Sequence, residues 1–495
     1  MKKAKIILDK DFVVGEVDKR IYGSFIEHLG RAVYGGIYEP GHATADELGF
    51  RKDVMDLVKE IDVPVVRYPG GNFVSGFNWE DSVGPVEQRP KRLDLAWFTT
   101  ETNEVGLHEF AKWAEKTNSE IMYAVNLGTR GPEQARDIVE YANHPSGSKF
   151  SEMRIANGKE EPFGIKLWCL GNEMDGPWQM GHKTATEYGR VANEAAKMMK
   201  WVDPTIELVA CGSSGTYLPT YPEWDRKVLE HTYDNVDFIS MHRYYGYEGN
   251  LNDYLASYAD LDAFLAAGIA AADYVKAYKR SDKVMKISLD EWNAWYGTHG
   301  PKPEEAWTVA PPIHEQTYNV MDALCVGGLL CTMLNRSDRV RMGCIAQLVN
   351  CLAICMTEPG KGAYAQTTYY PFMHASLFGR GEALRAIVKA PKMLTKHGEV
   401  DAVTSAVTYD EEKGEMTVFA LNLAEEEAAL NINARSFENL QPIEHIVLDG
   451  ELFAANTFEN PENILPHNVA TAACEKGVTA AKLPKHSWNV LRYKI

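Results

Sequence analysis

Two glutamates follow strand-like stretches of the sequence, and together they could cleave a glycosidic bond. Glu173 comes soon after the apolar run at 165–170, and Glu291 comes directly after the run at 285–290. Such a site uses one carboxylic acid to protonate the departing oxygen and one carboxylate to stabilise or trap an oxocarbenium-like transition state. We assign Glu173 as the general acid/base, because Asn172 beside it could hold a sugar hydroxyl and a Gly-Pro-Trp loop follows it. Glu291 is then the nucleophile.

Polar side chains that can hydrogen-bond, interleaved with aromatic ones, follow other strand-like runs. The ends of these runs carry Glu27 with His28, Arg67, Asn72, Asn126, His242 with Tyr244, and Gln347. This mixture is typical of a pocket for a polyhydroxylated ring. Arg67 and Tyr244 are suited to keep Glu291 ionised and oriented.

Each of these interpretations has a plainer alternative. A single strand-end glutamate is more often a solvated loop residue, and Arg67 alone is more often a structural ion-pair residue. His242 is more often a buried histidine with satisfied hydrogen bonds than a base or ligand. Asp290 should point the opposite way from Glu291 along a strand, so we expect a structural carboxylate that faces the helices. Three tryptophans near the glutamates fit core packing and sugar stacking equally well: Trp178, Trp292 and Trp295.

Eight short apolar or β-branched runs alternate with longer helix-patterned segments. The runs lie at 21–25, 63–68, 120–126, 165–170, 206–211, 236–242, 285–290 and 342–348. Apolar residues recur near the helical period at 53–61, 107–117 and 185–201. Alternating strands and helices imply parallel pairing, and eight such strands can close a (β/α)8 TIM barrel whose strand ends share one mouth. The sequence therefore predicts an α/β catalytic barrel at residues 19–385, with long loops.

The pattern changes to all-β after about residue 385. Residues 404–423 predict two alternating strands with a turn around Lys413 and Gly414, and further short strands are predicted at 444–448 and 488–493. The stretch at 3–14 is also strand-like. We therefore expect a C-terminal β-sandwich of the jelly-roll kind at residues 386–495, completed by an N-terminal strand within residues 1–18.

The composition argues against several classes of partner. With 51 basic and 69 acidic side chains the net charge is -18, which repels nucleic acid and anionic membrane surfaces. No apolar run approaches the ~20 residues of a membrane span. The basic start of the chain is followed by an apolar run too short for a secretory signal.

The cysteines and histidines point to an enzyme without a metal or other cofactor. The 8 cysteines show no CxxC pair or metal-ligand spacing, so we expect buried reduced thiols and a cytoplasmic protein. A zinc-dependent barrel hydrolase would typically carry a His-x-His motif, which this sequence lacks. The Gly70-Gly71-Asn72 turn lacks the Lys-Ser/Thr of a phosphate-binding loop.

Long motifs around these residues resemble intracellular α-L-arabinofuranosidases of glycoside hydrolase family 51. The matching stretches lie at 22–31, 67–75, 168–179, 290–293, 370–375 and 487–490. The resemblance runs nearly end to end. It implies a (β/α)8 barrel with a C-terminal β-sandwich and a retaining double-displacement mechanism without metal, acting on terminal arabinofuranosyl units of arabino- and arabinoxylo-oligosaccharides.

The resemblance also assigns roles to single residues. It carries the acid/base onto Glu173 and the nucleophile onto Glu291. The residues implied to bind arabinose hydroxyls are Glu27, Asn72, Asn172 and Gln347; Tyr244 and Arg67 support the nucleophile, and Trp97 and Trp178 line the leaving-group side. Members of the family are commonly hexamers, so a homo-oligomer is expected.

Three stretches depart from the family pattern. Arg243 stands where the family has glutamine, and the segments at 75–79 and 298–307 also differ. All three are expected near the leaving group, so they bear on linkage preference. Two alternative functions remain from the residues: another retaining glycosidase of this architecture, such as a β-xylosidase or endoglucanase, and a catalytically inactive sugar-binding protein.

Overall fold

A closed barrel of eight parallel strands forms the centre of the molecule. The computed structural model describes residues 2–297 and 300–495. The barrel strands, in chain order, are Gly23–Phe25, Val65–Tyr68, Glu120–Val125, Leu167–Leu170, Glu207–Cys211, Phe238–Tyr245, Lys286–Ala294 and Val340–Ile345. Each pairs with its neighbours in sequence, and the eighth pairs with the first. Every predicted run overlaps one of these strands, so the predicted TIM barrel is confirmed.

Helices surround the barrel and connect its strands. Their bounds are Lys52–Glu60, Leu107–Thr117, Pro132–Asn143, Lys149–Ala156, Ala185–Val202, Glu223–Thr232, Leu251–Leu255, Ser257–Lys279, Val320–Leu334 and Tyr369–Phe378. The longest predicted one begins at a capping box, in which Thr184 and Glu187 satisfy each other's backbone N–H groups. Helix Val320–Leu334 is buried along its whole length, because it lies between the barrel and the β-sandwich.

Two sheets form the C-terminal β-sandwich, and the N-terminus of the chain contributes a strand to each. The seven-stranded sheet contains Val13–Glu16, Glu382–Leu384, Val403–Asp410, Glu415–Asn422, Ser487–Lys494, Gln441–Leu448 and His467–Val469. The four-stranded sheet contains Ile387–Lys389, Lys2–Leu8, Ala428–Ala434 and Val478–Leu483. A hydrophobic core that includes Ile6, Val418 and Ile432 fills the space between them.

The domain boundaries after residues 18 and 385 stay a prediction. The first C-terminal strand of the larger sheet already begins at Glu382. Of the divergent loop at 298–307, Thr298 and His299 lie outside the described residues. Within the described part of the chain, none of the helices is both long and apolar enough to cross a membrane.

Trp488 joins the β-sandwich to the barrel. Its side chain is fully buried, stacks on Phe419 and donates from Nε1 to His374 Nδ1 at 3.2 Å. Gly327 lies on helix Val320–Leu334, and a Cβ there would come within 2.6 Å of the indole ring. The helix can therefore pack against Trp488 only with a glycine at this position.

Replacing Trp488 by alanine should lower the free energy of unfolding by about 3–5 kcal/mol, because it leaves a cavity where three elements meet. Trp201 is 76 % exposed and provides the matched control, for which Trp201→Ala should change stability by less than about 0.5 kcal/mol. Denaturant unfolding curves measure both. Equal losses in the two variants would contradict the packing described for Trp488.

Candidate active site

A pocket of about 680 Å³ opens at the mouth of the barrel, where the carboxyl ends of the strands meet. Eight of the ten residues predicted for the site line it: Glu27, Asn72, Trp97, Glu173, Trp178, Tyr244, Glu291 and Gln347. Arg67 and Asn172 lie behind its wall, each 1 % exposed. The structure therefore brings all ten predicted residues together, eight of them on the surface of the pocket.

Glu173 is aimed into the pocket by a sharp turn at the end of the fourth barrel strand. Gly171 and Glu173 both have left-handed backbone conformations, with φ of 91° and 42°. This conformation is uncommon for a residue with a side chain, and it occurs preferentially at functional sites. Trp178 fixes the carboxylate by donating from its indole Nε1 to Glu173 Oε2 at 2.7 Å.

Glu291 receives hydrogen bonds from two of the residues predicted to support it. Tyr244 donates its hydroxyl to Oε1 at 2.8 Å, and Arg67 donates from Nη1 to Oε2 at 3.0 Å. Arg67 also donates to Asn172 Oδ1 at 2.6 Å and lies over the ring of Phe25. The contacts with Asn172 and Phe25 hold the Arg67 guanidinium against the Glu291 carboxylate.

The prediction for Asp290 is wrong, because its side chain lies inside the barrel. Its carboxylate approaches His242 Nε2 at 3.2 Å and Arg67 Nε at 3.8 Å, and it accepts a hydrogen bond from Ser240. Strand Lys286–Ala294 shifts its pairing register with each of its two neighbouring strands around Asp290 and Glu291, and the extra residue in this strand marks a β-bulge. A bulge re-aims side chains, so two consecutive acidic residues both face the barrel axis.

His242 is a site residue that the sequence analysis named at a strand end but interpreted as a buried histidine with satisfied hydrogen bonds. Its Nδ1 lies 3.0 Å from Glu173 Oε1 and 3.4 Å from Glu291 Oε2, and its Nε2 faces Asp290. The only signal in the sequence was its position at the end of the predicted sixth run, two residues before Tyr244. That signal does not separate a buried structural histidine from one between two carboxylates.

Four of these groups form a closed ring of alternating charge, which we call the charge ring: Glu291, Arg67, Asp290 and His242. Each of the two cations contacts both carboxylates. Burial works against a charged imidazole, but the charge of Glu291 and hydrogen bonds to Asp290 and Glu173 raise the pKa of His242 to about 10. Burial also works against the Asp290 carboxylate, yet hydrogen bonding to His242 and the charge of Arg67 lower its pKa.

Glu173, His242 and Glu291 offer three ligand atoms within 4.8 Å of one another, a spacing that a metal ion could also use. A histidine must be deprotonated to bind a metal. Because both ring nitrogens of His242 face carboxylates and its pKa is raised, the imidazolium is the form that this environment favours. The cluster therefore fits a proton-binding group better than a metal ligand.

The separation of the two glutamates bears on the stereochemistry of a glycosidase. One carboxylate oxygen of Glu173 lies within 4.8 Å of one of Glu291. Retaining enzymes hold their two carboxyl groups about 5–5.5 Å apart, whereas inverting enzymes need about 6.5–9.5 Å to admit a water. The short separation is suited to retention.

Glu27 also lines the pocket and is held in place by three hydrogen bonds. Its Oε1 accepts from Phe73 N at 2.8 Å and from Trp97 Nε1 at 2.9 Å, and its own backbone N–H donates to Gln347 Oε1. A Cβ on Gly71 would lie 2.5 Å from Glu27 Oε2, so the glycine allows this close approach. Burial and the charge of Glu291 raise the pKa of Glu27 to about 8, which favours a neutral acid able to donate to a hydroxyl.

Asn172 does not face the pocket directly. Its amide accepts from Arg67 and donates from Nδ2 to Asn72 Oδ1 at 3.2 Å. Asn72 lines the pocket itself. Asn172 is thus placed to orient Asn72 and Arg67, and its predicted contact with a sugar hydroxyl stays a prediction.

Residues near the pocket's outer part include one of the divergent positions. Arg243 lines the pocket and is held by Asp260, with 2.8 Å from its Nε to Oδ2. Trp178 is 42 % exposed there, with the ring of Tyr217 at 6.3 Å. Trp97 instead points its indole N–H at Glu27.

The loop after the fifth strand supplies a contact that was not predicted. Ser214 lines the pocket, donates its hydroxyl to Asp175 and donates its backbone N–H to the same carboxylate at 2.9 Å. Since Asp175 is only two residues after Glu173, this contact ties down the loop that carries the glutamate. No strand-end motif in the sequence marked this serine.

Two family models match the chain. The α-L-arabinofuranosidase 1 domain matches residues 57–254, and the α-L-arabinofuranosidase C-terminal domain matches residues 290–487. Together the two matched segments include Glu173, Tyr244 and Glu291.

The chain is similar over its whole length to several named relatives. It is 57 % identical to the intracellular exo-α-(1→5)-L-arabinofuranosidase 1 of Bacillus subtilis, covering 100 % of this chain and 99 % of the relative. An exo-α-(1→6)-L-arabinofuranosidase of Bifidobacterium longum is 46 % identical, covering 100 % and 98 %. Among solved structures, the family 51 α-L-arabinofuranosidase AbfB of Bifidobacterium longum superimposes with a TM-score of 0.95 at 44 % identity, covering 100 % of both chains.

Replacing Asp290 by asparagine should lower the free energy of unfolding by about 3–5 kcal/mol near pH 6, because it removes one carboxylate from a buried ion-pair network. The raised pKa of His242 stabilises the fold fully below about pH 6.5, and this stabilisation is lost as the pH rises through about 10. The stability gap between wild type and Asp290→Asn should therefore narrow between pH 7 and 10.

The matched control for this measurement is Asp225→Asn. Asp225 is as buried as Asp290 but accepts its hydrogen bonds from Ser213, and burial raises its pKa to about 7. Because the Asp225 pKa is raised, the free energy of unfolding falls as the pH rises from about 3.8 to 7 and then no longer depends on this group. The difference in unfolding free energy between wild type and Asp225→Asn should therefore stay constant above pH 7. Unfolding free energies at several pH values distinguish the two patterns. A gap for Asp290→Asn that is equally flat would contradict the charge ring.

Proposed function

The chain belongs to the α-L-arabinofuranosidases of glycoside hydrolase family 51, and we propose that it removes terminal non-reducing α-L-arabinofuranosyl units from arabino- and arabinoxylo-oligosaccharides. The reaction is a retaining double displacement. The observation that carries this proposal is the placement of Glu173 and Glu291, with carboxylate oxygens within 4.8 Å, in one deep pocket at the barrel mouth.

In the first step, a carboxylate oxygen of Glu291 attacks the anomeric carbon and forms a covalent arabinosyl-enzyme ester. The bond from that carbon to the leaving oxygen breaks, and Glu173 donates its proton to this oxygen. In the second step, Glu173 takes a proton from water as the water attacks the same carbon. The ester breaks, arabinose leaves and Glu291 is again a carboxylate.

The charge ring serves the nucleophile in both steps. Arg67 and Tyr244 donate to the two oxygens of Glu291 and orient its carboxylate. When the ester forms, Glu291 loses its negative charge, and Asp290 together with the newly ionised Glu173 then balances Arg67 and His242. His242 also faces Glu173, so its positive charge supports the carboxylate that Glu173 becomes after donating its proton.

The terminal arabinose is held by neutral and amide groups. Glu27, Asn72 and Gln347 bind hydroxyls from the pocket wall, and Asn172 acts next to them through its amide pair with Asn72. Trp178 contacts the leaving group, because its indole reaches Glu173 and its ring is partly exposed. Trp97 contributes through its hydrogen bond to Glu27.

We propose α-(1→5)-linked arabinan fragments as the preferred substrates, because the Bacillus subtilis relative named for this linkage is more similar than the α-(1→6) enzyme named above. The same relative is named intracellular, and all eight cysteines here carry free thiols, which supports a cytoplasmic location. A homo-oligomer, a hexamer by family resemblance, is part of the proposal and is measured by light scattering.

Initial rates on aryl glycosides test the activity itself. The enzyme should hydrolyse an aryl α-L-arabinofuranoside at least 10-fold faster than the aryl β-xyloside, on the order of 1.4 kcal/mol of discrimination in the transition state. Cellulose should give no product. A preference for the xyloside or for cellulose would reverse the assignment, and prior dialysis against EDTA should leave the rate unchanged.

Two variants test the division of roles between the glutamates. Glu291→Gly should lose turnover by several orders of magnitude, and azide should restore formation of the arabinosyl azide of inverted configuration, because a small anion can take the place of the nucleophile. Glu173→Ala should keep more activity on an aryl substrate with a good leaving group than on arabinobiose, since only the latter needs the proton. Inverted azide product from Glu173→Ala instead would mean that the roles are exchanged.

A further inference from the structure

A second cavity of about 270 Å³, which we call the side cavity, adjoins the active-site pocket. Leu95 and Met180 line both the pocket and the side cavity, so they lie between the two spaces. Neither Glu173 nor Glu291 lines the side cavity. Its volume is several times the ~30 Å³ share of a water molecule, which leaves room for a ring-sized group.

The walls of the side cavity combine apolar surface with hydrogen-bonding groups. Phe73 and Phe77, whose rings are 4.9 Å apart, and Leu93, which is 61 % exposed, supply apolar surface. Asn78 supplies an amide and Thr129 a hydroxyl that donates to Ser75 O, whereas the Asn103 amide is buried and donates to Pro90 O. Sugar rings present apolar C–H faces and polar edges, and binding sites of this composition suit them.

The charges around the side cavity favour a neutral ligand. Arg92 donates from Nε and Nη2 to the two carboxylate oxygens of Asp81 at 2.9 and 3.1 Å, so the most exposed cation is already balanced. Two further carboxyl groups, Asp94 and Glu101, also line the space. Asp94 accepts two backbone N–H groups and Glu101 is paired with His28. With Arg92 paired to Asp81, the described lining residues offer an anionic sugar no uncompensated cation, whereas a neutral pentose needs none.

Asp94 and Glu101 belong to a hairpin of the strands Arg92–Asp94 and Thr99–Glu101, and this hairpin lines both the side cavity and the active-site pocket. Asp94 accepts the backbone N–H groups of Ala96 at 3.0 Å and Trp97 at 3.2 Å, and so fixes the turn that places Leu95 at the junction. Trp97 then bonds Glu27 inside the pocket. An oligosaccharide that extends from the pocket across Leu95 would therefore enter the side cavity.

The segment at 75–79 contributes Gly76, Phe77 and Asn78 to the side cavity. From the sequence, we expect this segment to bear on linkage preference. None of these three residues lines the pocket that holds the two catalytic glutamates.

We propose that the side cavity binds the second sugar ring of the leaving group, counted from the scissile bond, in neutral arabino-oligosaccharides. The first leaving-group ring then occupies the outer pocket beside Trp178, and the chain crosses Leu95 and Met180. This inference rests on the proposed arabinofuranosidase function. It makes the enzyme selective for substrates of at least three sugar units.

The test is the chain-length dependence of kcat/KM on α-(1→5)-linked arabinobiose, arabinotriose and arabinotetraose, with an aryl α-L-arabinofuranoside as reference. For the wild type, kcat/KM should rise by about tenfold from the biose to the triose, the gain expected from one or two hydrogen bonds, and change little for the tetraose. Asn78→Ala and Arg92→Ala should each reduce this rise, and Leu93→Trp should abolish it by filling the cavity. All three should leave the aryl reference unchanged.

Arg226→Ala is the matched control, because it also removes a surface arginine from an ion pair with an acidic residue, on a helix that does not line either cavity. It should keep the full rise. A wild type without the rise, or variants that keep it, would overturn the side cavity as a binding site. An equal loss on every substrate would also overturn it, by assigning these residues to pocket integrity. Failure of the proposed function is distinct, since the wild type would then hydrolyse neither the biose nor the aryl reference.

Discussion

The site depends on the charge ring that lies at its base. A carboxylate that must attack carbon has to stay ionised in a largely buried position, and burial alone disfavours the charged form. Arg67 and His242 favour the ionised form of Glu291 by placing two positive charges next to it. Two buried cations beside one carboxylate would themselves leave an unbalanced positive charge. Asp290 supplies the missing charge from inside the barrel. The cost of burying four charges is offset only because each has opposite partners on two sides.

The rest of the fold serves to hold this arrangement in register. The closed barrel brings the ends of distant chain segments to one mouth, and the bulge at Asp290 and Glu291 gives the ring its second carboxylate. The left-handed turn at Glu173 then places the second catalytic group against His242. Outside the ring, recognition is left to the segments around the barrel mouth, which also line the side cavity.

Much of the architecture could be predicted because it is written in local patterns. Eight apolar runs separated by helix-patterned segments indicate the barrel, and polar groups directly after those runs indicate the pocket. The predictions failed where local geometry is set by pairing with neighbouring strands. Strand alternation placed Asp290 on the wrong face, because a bulge depends on the neighbouring strands and has no signature in these residues. His242 was undervalued for a similar reason: its type and position are those of many structural histidines, and only its three carboxylate neighbours distinguish it.

The central claim is that His242 carries a positive charge in the free enzyme because Asp290, Glu173 and Glu291 surround it. ¹⁵N NMR of histidine-labelled protein, with the His242 signals assigned by their loss in His242→Gln, observes the protonation of both ring nitrogens directly. The account predicts an imidazolium that persists at pH 8 and titrates only as the pH approaches about 10. A His242 ring that is neutral at pH 8 would contradict it.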